Sequence, residues 1–280
     1  MPGKNAASGG RDGRSLSVRT LDVLGAFGAA RPRLTLSELS RASGLSLTTT
    51  HRIVTDLVEW GALEEADGGY QAGLRLWEAA CAAPRGLALR ETALPTMEDL
   101  YEATHENVQL AVRDGLDAVY VERITGHGAV RVLTRVGGRF ALPATGVGLA
   151  LLAHAPREVQ ERVLAEPLRR WTPYTVTDPA VLRIMLAEVR RTGTAVSDRQ
   201  VTDDAFSVGC PVRGVGGEVV AALSVVVRCD GPFTPMVLTP AVRAASRSIS
   251  RALGWEPTRP TRGRRLPGAS GDSFRTSEVP

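Results

Sequence analysis

The sequence predicts an α+β chain of two folded units, a small helical one closed by a hairpin and a larger one built on an antiparallel sheet. Three observations predict it. Helical periodicity punctuated by hydroxyl residues and glycine runs from about residue 15 to residue 60. Two short strand patterns flank the turn Asp67-Gly68-Gly69, and residues 100–254 interleave alternating strands with helices begun by proline. With 280 residues and 43% hydrophobic content, the chain has enough apolar material for two ordinary cores. No stretch approaches the roughly 20 uncharged apolar residues that a membrane span requires, and the start MPGKNAASGGRDGRS has no apolar leader segment. A cytoplasmic protein with no membrane partner is therefore expected.

In SLSVRTLDVLGAFGAARP, residues Val18, Leu21, Leu24 and Phe27 recur three apart, which predicts a packing helix that stops before Pro32. Thr35 and Glu38 then form a capping-box pattern, opening a second helix through Leu36 and Leu39. Ser43-Gly44 should close it, because glycine tolerates the left-handed conformation of a helix end, and Ser46 should cap a third helix beginning at Leu47. A helix, a glycine-containing turn and a helix make a helix-turn-helix.

Turning about 100° per residue divides the third helix into two faces. Leu47, Thr50, Ile53, Val54, Leu57 and Val58 share one half, and Thr48, Thr49, Arg52, Thr55, Asp56 and Glu59 face outward. Hydroxyls and an arginine on the first turns are what entry into a DNA groove needs, since they reach phosphates and base edges near the positive end of the helix dipole. Alone, the same pattern also describes a solvated face. The hairpin that follows at once, in GALEEADGGYQAGLRL, favours the first alternative because it has the position of a wing. Ser46, Thr48, Thr49 and Arg52 are thus the candidate DNA-binding residues of the helix, and Tyr70, Gln71 and Arg75 those of the wing. Tyr70 serves equally well as hairpin packing. Charge does not mark this unit: the chain carries +4 overall, yet residues 15–80 hold six arginines against eight carboxylates.

The alanine- and leucine-rich residues 78–99 read as linker helices broken at Pro84 and Pro95. Beyond them, strands are expected at 108–112 and 118–121 about a turn at 113–115, then at 130–133, 210–212 and 219–227. Helices are expected at 148–153, 156–165, 179–191 and 240–253, with Asp178 and Thr239 capping prolines at the first position. Residues 1–14 and the basic segment 255–280, containing PTRPTRGRRLPG, cannot pack a core and are expected to be disordered tails. The predicted organisation is a winged helix-turn-helix over 15–77, linkers over 78–99 and an α+β sensor domain over 100–254.

Within this framework, SVRTLDVLGAF, LTLSELSRASGLSLTTTHRIVTDLVEWGALE and GGYQAGLRL resemble the DNA-binding domain of the IclR family of bacterial regulators in order and spacing. HENVQLAVRDGLDAVYVERITG, RVGGRFALPATGVGLALLA and TGTAVSDRQVTDDAFSVGCPVRGVGGEVVAALSVV resemble its effector domain, so the similarity spans roughly residues 15–254. The resemblance implies a GAF-like second domain, a dimer or dimer of dimers, and a small-molecule effector held between the sheet and its loops. Its contact positions fall on Val132, Gly146, Val147, Ser197, Ala205, Ser207 and Ser224. Relatives often carry aspartate where Ser197 stands, cysteine where Ser207 stands and lysine where Leu149 stands, so a more neutral or apolar effector is expected here. Each serine could alternatively satisfy only local backbone groups.

A sequence-specific regulator, acting as a repressor on a near-palindromic operator of double-stranded DNA, is the expected function, with no cofactor and no metal. An enzyme would have to use Cys210 as a nucleophile, or His105 with Glu106 as acid and base, and His51, His105, His127 and His154 show no metal-ligand spacing. His51 is expected to pack at the edge of the third helix. Cys81, Cys210 and Cys229 are odd in number and far apart, and are expected to be buried free thiols.

Overall fold

The computed structural model describes residues 14–28, 31–83 and 86–256. Both segments expected to be disordered therefore lie outside the described residues, except for Arg14, Trp255 and Glu256. Arg14 pairs with Asp22 at 2.5 Å, which ties the chain's entry to the first helix.

Helix α1 (Leu16–Leu24) begins at Ser15, whose hydroxyl accepts from the Val18 amide. It packs through Val23, 0% exposed, whereas Val18 and Leu21 of the expected packing stripe are 42% and 65% exposed. The helix is only nine residues long and meets its neighbours along a narrow edge, so most of its apolar sector faces outward. The capping box is formed as expected at α2 (Leu36–Ser43): the Glu38 amide donates to Thr35 Oγ1, and the Thr35 amide donates to Glu38 Oε2 at 2.8 Å. Gly44 ends α2 at φ 66°, and Ser46 caps α3 (Leu47–Trp60). Thr50, Ile53, Val54 and Leu57 of α3 are buried and Val58 is half-buried, but Leu47, assigned to the same face, is 51% exposed because it precedes the first contact with the core.

Two further strands, β2 (Leu63–Ala66) and β3 (Gly69–Ala72), make the predicted hairpin, with Asp67 and Gly68 at φ 45° and 77°. A third strand escaped the sequence reading: β1 (Arg33–Leu34) pairs antiparallel with β3, giving a wing of order β1-β3-β2. Helix α4 (Leu74–Cys81) follows the wing, and α5 (Leu87–Thr104) leads into the second domain. Pro95 lies inside α5 and does not break it. Helix α4 is capped at Ala82 and α5 begins after Gly86; Pro84 lies outside the described residues.

Strands β4 (Asn107–Asp114), β5 (Asp117–Ile124), β6 (Arg139–Ala141), β7 (Ala195–Asp198), β8 (Ala205–Arg213) and β9 (Val219–Arg228) form one sheet of order β6-β5-β4-β9-β8-β7, antiparallel throughout. Because side chains alternate across a strand, Val108, Leu110, Phe206, Val208, Leu223 and Val225 pack under α5 and α9 (Pro235–Ala252). The opposite face carries α6 (Gly146–Ala153), α7 (Arg157–Ala165) and α8 (Pro179–Thr192) over a second core. This antiparallel sheet with helices on both faces is the expected GAF-like domain.

Three expectations fail, in this domain and at the end of α4. Residues 130–133 are loop, not strand, because the edge of β5 is already taken by β6. Thr234, not Thr239, caps α9, and Pro240 sits inside that helix, where the Thr239 hydroxyl donates to the Pro235 carbonyl at 2.7 Å. Cys81 and Cys229 are exposed, and only Cys210 is buried. The Asp178 cap before Pro179 is formed as expected.

Helix α6 approaches the sheet closely because two glycines face each other. A Cβ on Gly209 would stand 2.4 Å from the Gly146 carbonyl oxygen, and one on Gly146 would stand 2.8 Å from Ser207 Oγ. Gly209→Ala is therefore expected to lower stability by about 1–3 kcal/mol, the usual cost of overpacking, read as a fall in the urea midpoint. An unchanged midpoint would show that α6 can recede freely.

Candidate functional site

The first candidate surface is the start of α3. Ser46 Oγ accepts from the Thr49 amide at 3.2 Å and donates to Thr49 Oγ1 at 2.9 Å, which orders the first turn. Thr48 and Arg52, four residues apart, lie on one side of the helix and are exposed, with Thr49 half-buried beside them. Among the described residues Arg52 has no hydrogen-bond or ion-pair partner. Thr50, by contrast, is 0% exposed and its hydroxyl donates to the Ser46 carbonyl. His51 is exposed and not packed as expected, since it falls on the outer face between Thr48 and Thr55.

The wing residues divide. Tyr70 is half-buried against the core of the first domain, so its packing alternative is realised. Gln71 points away from that core and makes a long 3.4 Å contact to Glu64 Oε2. Arg75 is not on the wing. It stands in α4, where its guanidinium lies 4.7 Å from the centre of the Trp60 ring and donates to the Trp60 carbonyl at the end of α3. The sequence reading missed Arg33, which reaches across the wing to Asp67 Oδ2 at 2.6 Å and remains 45% exposed. A two-residue strand carries too little periodicity to announce itself.

The second candidate is a pocket between the sheet and α6. Val132, Gly146, Ser197, Ala205, Ser207 and Ser224 line it, as the resemblance implied. Val147 does not: it is 1% exposed and belongs to the core beneath α6, because the helix turns it inward from Gly146. Gln109, Tyr120, Thr134, Thr145 and Gln200 also line the pocket and were missed. Gln109 could have been found from sequence as a polar residue set between the apolar Val108 and Leu110 of a central strand. Its Nε2 donates to Thr134 Oγ1 at 2.6 Å, while Asn107 Nδ2 holds the Val130 carbonyl at 2.8 Å and Arg123 donates to the Thr134 carbonyl. These three side chains fix the loop that carries Val132 over the pocket.

The pocket lining holds no formally charged side chain among the described residues. Ser197 donates to the Ala144 carbonyl at 2.7 Å, and Ser207 Oγ accepts from the Gly146 amide at 3.1 Å, so both serve the backbone of the α6 entry. The Ser207 hydroxyl hydrogen and Ser224, 1% exposed, are left to other partners. Tyr120 is the most exacting group. Its ring is 1% exposed, burial pushes its phenol well above the ordinary range against a smaller opposing effect of the nearby Thr145 hydroxyl, and its oxygen has no hydrogen-bond partner in good geometry. It therefore presents a neutral donor. The groups an enzyme would need are poorly placed. Cys210 is 1% exposed and burial raises its thiol, so the thiolate is disfavoured, and the His105 ring packs edge-on to Tyr101.

A helix-turn-helix head with a wing, placed ahead of a sheet domain that holds a pocket, is the build of a transcription regulator. Residues 18–67 match the IclR helix-turn-helix domain and residues 81–251 match the bacterial transcriptional regulator IclR C-terminal domain, so the chain belongs to the IclR family. It is 33% identical to the HTH-type transcriptional regulator KipR of Bacillus subtilis, over 85% of this chain and 96% of KipR. It is 31% identical to the regulator BhcR of Paracoccus denitrificans, over 83% and 85% of the two chains. Among solved structures, an IclR homologue from Microbacterium hydrocarbonoxydans complexed with 4-hydroxybenzoate superposes with a TM-score of 0.81 at 38% identity, covering 85% of this chain and 99% of that one.

Since the Tyr120 phenol has no partner in good geometry beyond the nearby Thr145 hydroxyl, Tyr120→Phe is expected to leave stability unchanged or raise it by about 1 kcal/mol in urea unfolding. A loss of stability would mean that the hydroxyl is satisfied within the fold.

Proposed function

We propose that the protein is an operator-binding repressor whose hold on DNA is set by a small, weakly polar effector. The observation that carries the DNA half is the outer face of α3, where Thr48 and the unpartnered Arg52 stand at a capped helix start beside a three-stranded wing. Thr48, Thr49 and Arg52 enter the major groove, Ser46 offers the helix start to a phosphate, and Gln71 with Arg33 follows the flanking backbone. Tyr70 and Arg75 support this surface from behind, through the core and through Trp60. Repression is the simpler sign, since occupying a promoter suffices to block it, whereas activation needs an additional contact to the polymerase.

The chain acts as a dimer in this proposal. Leu16, Val18 and Leu21 of α1 and Leu74 and Trp77 of α4 are each more than 40% exposed, an apolar surface of the first domain that a second copy would cover. Two recognition helices would then meet half-sites about 34 Å apart in successive major grooves of a near-palindromic operator. DNA as the target makes the cytoplasm the place of action. No catalytic step is assigned to the chain, in keeping with the buried, protonated Cys210.

The pocket, lined by Val132, Gly146, Ser197, Ala205, Ser207 and Ser224 with the newly found Gln109 and Tyr120, takes the effector. A ring compound is in line with the 4-hydroxybenzoate held by the Microbacterium homologue, which is 38% identical to this chain. Without a cationic side chain in the lining, an uncharged ring compound with an oxygen opposite Tyr120 is favoured over its carboxylate counterpart. Effector binding must favour one arrangement of the two heads, by a coupling on the order of 1–3 kcal/mol.

Arg52→Ala is expected to weaken operator binding roughly tenfold or more in a gel shift, as loss of a bidentate base contact does, with effector affinity unchanged. Equal operator affinity would remove Arg52 from the interface. For the effector, calorimetry with paired ring compounds is expected to show the amide or alcohol binding more tightly than the matching acid, and the reverse order would overturn the neutral-effector reading.

A further inference from the structure

On the sheet face opposite the effector pocket, a second cleft opens between α9, the α8–β7 connection and the end of β8. Arg213, Arg243 and Arg247 line it, together with Ser246, Ser250 and Trp255. Among the described residues no carboxylate lines it, and Glu218 of the neighbouring turn folds back over Gly214 instead. Arg243 and Arg247 are four residues apart on α9, with Arg251 four further on, so like charges stack along one helix face in the arrangement that opposes helix stability.

The three guanidinium groups are only partly employed. Arg213 Nη1 donates to the Gly217 carbonyl at 2.7 Å, and Arg243 Nη2 donates to the Thr192 carbonyl and to Thr194 Oγ1 at 3.1 and 2.9 Å, closing the end of α8. Arg243 Nε is buried without a partner. Arg247 is exposed and has no hydrogen-bond or ion-pair partner among the described residues. The hydroxyls are spent on the fold, as Ser246 donates to the Pro211 carbonyl and Ser250 to the Ser246 carbonyl. What the cleft offers is a set of cationic N–H donors from strand β8 and helix α9, one of them desolvated.

We propose that this cleft is a second ligand site, specific for a phosphate-type oxyanion, either the free ion or the phosphate group of a small metabolite. Arg213 and Arg243 form its fixed walls, because each is held by backbone carbonyls, and Arg247 closes over the anion from the solvent side. Guanidinium forks match the edges of a tetrahedral oxyanion, and a doubly charged group offsets three uncompensated cations better than a monoanion does. The environment agrees with this charge balance: His154 is held below its ordinary range by burial first and then by Arg213 and Arg190, and Arg243 and Arg247 oppose the burial-driven rise of the Cys210 thiol. The site is independent of the effector pocket, and its occupant would bear on the seam between α8 and α9.

The test is isothermal titration of the full-length chain with inorganic phosphate and with pyrophosphate, at constant ionic strength in a buffer without phosphate, and with chloride as the reference anion. Saturable binding of one anion per protomer is expected, weakened roughly tenfold or more by Arg247→Ala, as expected for removal of charge-assisted hydrogen bonds. Arg247 is exposed, so this variant should keep the wild-type circular dichroism and urea midpoint, and Arg213→Gln should weaken binding in the same way. Heat that does not saturate, or equal affinity in the wild type and Arg247→Ala, would overturn the site. So would a fall in operator affinity and salt slope in Arg247→Ala without any change in phosphate binding, which would assign the arginines to DNA.

Discussion

The approach of α6 to strand β8 is the constraint on which the second domain depends. Gly146 and Gly209 permit backbone-to-backbone contact, and the Gly146 amide then reaches Ser207 Oγ. With the helix held that close, its first turn becomes a wall of the pocket, not a cap above it, and the apolar remainder of α6 packs fully into the core. A larger residue at either glycine would push the layers apart and loosen the core and the pocket wall together. The site and the stability of the domain thus share one contact.

The first domain has a different economy. Its core is small, and its helix ends are closed by local hydrogen bonds: the Thr35–Glu38 box, the Ser46 cap and the left-handed Gly44. Local closure frees the outer side chains of α3 from structural duty, which is why Thr48 and Arg52 are available to another molecule. Arg75, stacked on Trp60, shows the opposite outcome, a cation consumed by the fold.

Elements whose causes are local were legible in the sequence. The capping box, the αL glycine, the Asp67-Gly68 turn and the Asp178-Pro179 helix start each depend on a few adjacent residues, and each formed where expected. Features set by distant partners were not. The apolar run at 130–133 has strand propensity but no free sheet edge, since β6 occupies it, and β1 exists only because β3 lies beside it. Pro95 and Pro240 were read as boundaries, yet the packing of α5 and α9 against the sheet outweighs one missing amide in each. In the pocket, six of the seven positions given by the family resemblance line the cavity while Val147 lies in the core beneath α6, and Tyr120 was hidden because an aromatic in a strand reads as core.

The buried Tyr120 phenol also sets how this pocket would make mistakes. A guest that differs from the right one by a methyl group changes only apolar contact, a difference of about 1–3 kcal/mol, and such near-neighbours would be confused. A guest with no oxygen opposite Tyr120 would displace solvent and leave the phenol with nothing to donate to, a far steeper penalty inside an apolar wall. Under the proposed function, the pocket's discrimination would be lopsided, tolerant of shape and strict about one hydrogen bond.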